Sequence, residues 1–111
     1  MENAFSKHPT RAKGFTPLMV NTGNASVEKI LLKRGAKVDL ATGRGVTALM
    51  RAAKYGSGKS IRILLKAGAN RCKTDKAGKT AFDYSKDRTA ALTPLNAATL
   101  RRLRCATEKQ G

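Results

Sequence analysis

Two stretches decide the fold: Gly45-Val46-Thr47-Ala48-Leu49, and Ile63-Leu64-Leu65-Lys66-Ala67-Gly68-Ala69. Each has a counterpart one unit earlier, in Gly14-Phe15-Thr16-Pro17-Leu18 and Ile30-Leu31-Leu32-Lys33-Arg34-Gly35-Ala36. The Gly-Ala pairs at 35 and 68 lie 33 residues apart (68 − 35). The Gly-x-Thr triplet begins at 14, 45 and 78, at intervals of 31 (45 − 14) and 33 (78 − 45). Self-similarity at a period of this size marks a stack of supersecondary units, each too small to bury its own apolar face.

Within a unit the pattern reads as two short helices and a glycine-marked turn. In the first, helix A covers about 17–22 and helix B about 25–34. Pro17 suits a first helical turn with Thr16 as its cap. Val27, Ile30 and Leu31 fall at i, i+3 and i+4 and predict the buried stripe of helix B. Gly35 supplies the left-handed residue that ends it. The second unit places helix A at about 48–55 and helix B at about 59–67, with Ile61, Leu64 and Leu65 repeating the stripe. In the third unit helix A covers about 81–86, a loop covers 87–93, and helix B runs from Pro94, capped by Thr93, to about Cys105. Leu95, Leu100 and Leu103 are the apolar residues of that last helix.

These motifs resemble the ankyrin-repeat family: Gly14-Phe15-Thr16-Pro17-Leu18 with the segment ending at Gly35-Ala36, and Gly45-Val46-Thr47-Ala48-Leu49 with Ala52-Ala53, Gly56 and the segment ending at Gly68-Ala69. Gly78-Lys79-Thr80-Ala81-Phe82-Asp83 opens a divergent third unit. The resemblance implies an all-α, ankyrin-type solenoid of helix-turn-helix repeats, over about 14–44, 45–77 and 78–111, with β-turn finger loops in 37–46 and 70–79. Residues 1–13 read as a basic, flexible N-terminal arm. The first unit is two residues short between Thr16 and Gly23. Where the family usually carries a histidine, this chain has Met19, Met50 and Asp83. Methionine fills space but specifies geometry poorly, and about three repeats is the lower limit for a self-supporting stack. Together these imply marginal stability.

Charge sets this chain apart. In 111 residues, 23 Lys and Arg face 7 Asp and Glu, for a net charge of +16. Such a field favours acidic or polyanionic partners. No acidic residue occurs from Leu40 to Thr74. With 41% hydrophobic residues, a folded core is expected rather than disorder. No apolar run is long enough to span a membrane. Cys72 and Cys105 form neither a disulfide framework nor a zinc-ligand pair; they read as plain thiols, consistent with a cytoplasmic or nuclear compartment, with an organellar address also open.

Two sets of cations are the candidate partner-binding residues. The resemblance places Arg44, Arg51, Lys54, Lys76 and Lys79, with Tyr55 as an anchor, on the fingers and inner face that ankyrin proteins use. The second set, Lys29, Lys33, Arg62, Lys66, Arg101 and Arg102, forms a ridge along the exterior of the B helices, where like charges sit four residues apart on α-helical spacing.

Other motifs have plainer readings. Ala53-Lys54-Tyr55-Gly56-Ser57-Gly58-Lys59-Ser60 fits a relaxed phosphate-loop pattern, but that chemistry needs a buried strand before the loop, whereas 47–53 carries the repeat's helical pattern. His8, the single histidine, lies in the arm beside Pro9. Asp83 and Asp87, four apart, read as exposed helix residues. Asn24-Ala25-Ser26 matches a glycosylation acceptor, with nothing else to indicate secretion. The functional expectation is a non-enzymatic module for protein–protein interaction, taking an acidic partner surface, with no cofactor, metal or small-molecule substrate. The alternative is a small basic subunit docked on RNA or DNA in a larger assembly. A third reading is a nucleotide-using enzyme built on the phosphate-loop lookalike.

Overall fold

The computed structural model describes residues 14–55, 58–86, 95 and 97–105. Among these are six helices: α1 (Pro17–Val20), α2 (Ala25–Lys33), α3 (Ala48–Tyr55), α4 (Gly58–Lys66), α5 (Ala81–Ser85) and α6 (Ala97–Leu103). Helices α1, α3 and α5 pack side by side as one layer, and α2, α4 and α6 as a second. This is the all-α stack of helix pairs expected. The arm, Pro94 and its Thr93 cap, and the 87–93 loop fall outside the described residues. The last helix begins later than its pattern suggested, since Leu95 precedes it outside the helix, and it stops at Leu103 rather than Cys105.

Each inner helix starts the same way. The Thr16 hydroxyl oxygen accepts from the Met19 N–H at 3.2 Å, and the Thr16 N–H points back at the Met19 sulfur at 3.5 Å. Thr47 and Met50 repeat this pair at 3.3 and 3.4 Å. Thr80 and Asp83 make the oxygen version, with the Thr80 N–H donating to Asp83 Oδ2 at 3.0 Å. The three residues that replace the family's histidine therefore close capping boxes, two of them through a weak sulfur acceptor. Met19 and Met50 are fully buried, so each also fills core volume.

The outer helices end as their sequence implies. After α4, the Ala69 N–H donates to Leu64 C=O and the Gly68 N–H to Leu65 C=O, both at 3.0 Å, and Gly68 takes φ +97°. Ala36, Gly35 and α2 repeat the pattern. This paired bonding needs a left-handed residue, which only glycine adopts without strain.

The core runs through Leu18, Leu31, Leu49, Ile61, Leu64 and Leu103 between the layers. One expected core residue is on the wrong side: Ile30 is 52% exposed, while Glu28 is 0% exposed. The Gly23 N–H donates to Glu28 Oε2 at 3.3 Å and to Ser60 Oγ at 3.2 Å, and the Ser60 hydroxyl donates to Glu28 Oε2. These bonds draw the carboxylate inward and rotate Ile30 out. Burial pushes the Glu28 carboxyl above its ordinary 4.5, against the lowering effect of the Ser60 and Gly23 bonds.

The thiol reading is corrected. Cys72, in the turn after α4, and Cys105, just past α6, have Cα atoms 4.8 Å apart and are joined as a disulfide. The reducing-compartment expectation rested on their being unpaired, and loses that support. Beside the bond, Arg71 Nη1 donates to Arg102 C=O at 2.8 Å, so the same turn grips the end of α6 twice.

Candidate functional site

The finger loops form where the family resemblance implied them. In the first, Thr42 N–H donates to Val46 C=O at 2.9 Å and Gly45 N–H to Thr42 C=O at 2.8 Å, with Ala41 bridged to Thr47. In the second, Asp75 N–H donates to Lys79 C=O at 3.0 Å, and Asp75 Oδ1 accepts from the Ala77 and Lys79 N–H groups at 2.8 and 2.9 Å. The two fingers join where Lys76 N–H donates to Arg44 C=O at 2.9 Å.

Between the first finger and the inner helices lies a groove of about 580 Å³. Of the residues expected at the inner face, Arg44, Arg51, Lys54 and Tyr55 line it together. Lys76 and Lys79 do not: Lys76 stays on the finger, exposed, and the Lys79 ammonium sits 5.3 Å from the centre of the Tyr84 ring.

Arg51 is the centre of this site. Its guanidinium carbon stands 4.7 Å from the centroid of the Phe15 ring and 5.3 Å from that of Tyr55. Its Nε donates to Met19 C=O, the backbone of the preceding inner helix, at 3.1 Å. Contact with two rings and one hydrogen bond restrict a side chain that would otherwise have many rotamers to lose. Lys54 Nζ lies 5.4 Å from the other partner of this group, Tyr55, which is 62% exposed. The arrangement presents an oriented planar cation, a second, ammonium cation and an accessible ring in one concavity, which suits a carboxylate with an adjoining apolar group.

Phe15, Val46 and Tyr84 also line the groove and were not anticipated. A signal existed for the first two: they are the middle residues of the Gly-x-Thr triplets, which the fold aims at the inner face. Tyr84 occupies the position of Arg51 one repeat later (51 + 33). Its hydroxyl donates to Asp75 Oδ2 at 2.5 Å, tying α5 to the second finger. Desolvation acts to raise the Asp75 carboxyl, but the Tyr84 hydroxyl, the Lys79 and Ala77 N–H groups and the Lys79 charge outweigh it and hold Asp75 below its ordinary 3.8.

On the opposite side, a second groove of about 510 Å³ collects Lys29 from α2, Lys59, Arg62 and Lys66 from α4, and Arg102 from α6. Lys33 borders a neighbouring depression with Lys29 and Lys66. Arg101 is exposed but lines neither.

The phosphate-loop lookalike lacks the context its chemistry needs. Ala48–Tyr55 is a helix, not a strand, and the Ser60 hydroxyl is buried against Glu28. Gly56 and Ser57 lie outside the described residues, as do His8 and Asp87. Asp83 is held in its capping box, and Asn24 is the N-cap of α2. Among the described residues no cluster of His, Cys, Asp and Glu could hold a metal ion, and no helix is long and apolar enough to cross a membrane.

A search of curated proteins gives no match. The family model described as ankyrin repeats (3 copies) matches residues 2–75 and again 18–106. Ankyrin repeats are generally protein–protein interaction modules and are typically non-enzymatic. With matched segments spanning most of the chain, and with paired helices, Gly-ended outer helices and stacked β-turn fingers all in place, this chain belongs to the ankyrin-repeat family.

Proposed function

We propose that the inner groove receives an acidic segment of a protein partner, with Arg51 engaging a carboxylate and Lys54 and Arg44 strengthening the local field. The observation that carries this reading is the orientation of the Arg51 guanidinium by Phe15, Tyr55 and Met19 C=O, which lowers the ordering cost of binding an anion there. Val46 and Tyr55 offer apolar surface for the residue next to that carboxylate. The +16 charge steers acidic partners inward, so affinity falls as salt rises. No catalytic group is assigned.

Fluorescence anisotropy with a labelled 12-residue peptide of alternating Glu and aromatic residues tests this at two salt concentrations. Arg51→Glu combined with Lys54→Glu is expected to weaken binding at least tenfold, with the helical circular-dichroism signal retained. Unchanged binding places the partner elsewhere.

A further inference from the structure

The groove on the outer side has a chemistry of its own. Helices α2, α4 and α6 lie side by side. At interaxial spacings of about 8–10 Å, three such helices carry their exposed side chains across roughly 20 Å. Lys29, Lys33, Lys59, Arg62, Lys66, Arg101 and Arg102 are all exposed there. A solvated helix face ordinarily mixes signs. Here α4 and α6 contain no acidic residue, and the one on α2, Glu28, is fully buried, so the three helices expose no carboxylate at all. The burial of Glu28 removes its charge from the face.

We infer that this outer face binds double-helical nucleic acid through its phosphates, independently of the inner groove. Three observations favour that occupant. The five polar side chains of the outer groove are Lys and Arg, which only donate hydrogen bonds, as phosphate oxygens require. The rows span more than the roughly 12 Å width of a duplex major groove, so phosphates on both sides of it are within reach. The floor between the cations is aliphatic, Ile63 and Leu65, with no ring on which an unpaired base could stack, which disfavours single strands. An acidic protein would find aromatic anchors in the inner groove and none here. Phosphate contacts carry no sequence information, so a face that engages the backbone should bind duplexes of any sequence.

The test uses the whole chain with 20-base-pair DNA and RNA duplexes of arbitrary sequence, followed by anisotropy across a salt series. Neutralising about one phosphate per groove cation gives a log–log salt slope near −4.5 for B-DNA, at about 0.9 per phosphate. The variant Lys29→Glu/Arg62→Glu/Lys66→Glu should bind at least tenfold more weakly, with a slope shallower by about 3. A control with the same charge change on the inner side, Arg44→Glu/Lys54→Glu/Lys76→Glu, should lose less than threefold. DNA and RNA should agree within threefold. In the unmodified chain, bound duplex should protect Lys29, Lys33, Lys59 and Lys66 from amine acetylation, a readout that does not depend on the variants folding. Equal losses in the two triple variants, absence of lysine protection, or stronger binding to phosphatidylserine vesicles or polyglutamate than to duplex at the same salt would each overturn the assignment.

Discussion

Glu28 and Ser60, 32 residues apart in the chain, are hydrogen-bonded to each other inside the interface between the first two repeats. Both are fully buried, and both contact the Gly23 N–H. The second oxygen of Glu28, Oε1, is buried with no hydrogen-bond partner among the described residues. A carboxylate in such a place is costly when charged, so its protonation is linked to folding.

The folded pKa of Glu28 lies above the ordinary 4.5, so the folded chain holds this proton more tightly than the unfolded one. The stability this contributes is fully present below that ordinary value and is lost as pH rises through the folded value. Glu28→Gln keeps an acceptor for Ser60 and Gly23 and removes the titration. Urea unfolding at several pH values from 4.5 to 7.5 should show the native chain losing stability as pH rises from that ordinary value, with a flatter profile in the variant. Parallel profiles would mean that other groups set the pH dependence.

Finger stacking depends on a close backbone approach. A Cβ on Gly45, at φ +85°, would come within 3.0 Å of Asp75 Cα and 3.2 Å of Lys76 N. A Cβ on Gly68, at φ +97°, would meet nothing within 4 Å. Gly68→Ala should therefore cost only the left-handed strain, about 1–2 kcal/mol. Gly45→Ala should cost at least about 1 kcal/mol more, because the second finger must shift as well. Denaturation midpoints measured side by side check the order, and equal losses would contradict the stacked geometry.

The Cys72–Cys105 bond closes a loop of sequence separation 33. Chain-entropy reasoning gives it about 3–4 kcal/mol. The third repeat is the divergent one, and α6 is only seven residues long. Reduction, or Cys105→Ser, should lower the melting temperature by about 10 °C or more and bring the reduced chain below ~65 °C. Amide exchange should rise first in α6. A melting temperature unaffected by reductant would show the bond to be dispensable.

Arg51→Lys separates charge from shape in the inner groove. Lysine keeps the positive charge but not the planar fork or the stacking on Phe15 and Tyr55. Binding of the acidic peptide should weaken about tenfold, equivalent to about 1.4 kcal/mol. The melting temperature should move by only a few degrees. Retained affinity would make Arg51 a source of field and not a specific contact.

What the amino-acid sequence determined by itself is local and repeated. Thr16, Thr47 and Thr80 start inner helices, Gly35 and Gly68 end outer ones, and leucines at helical spacing mark the apolar faces, because each signal acts within about one turn of chain. Those features pointed to the family, and that resemblance in turn picked out Arg44, Arg51, Lys54, Tyr55, Lys76 and Lys79, of which the first four line one groove. The tertiary structure alone decided which face of α2 is buried, since Glu28 turns inward and Ile30 outward only because Ser60 of the next repeat presents a hydroxyl there. It also decided that Arg51 meets Phe15 from an earlier repeat, and that Cys72 and Cys105 come into bonding range. These pairs are roughly 32–36 residues apart, and their contact depends on how one repeat is rotated onto the next, a quantity set by packing across the whole interface that no local pattern encodes.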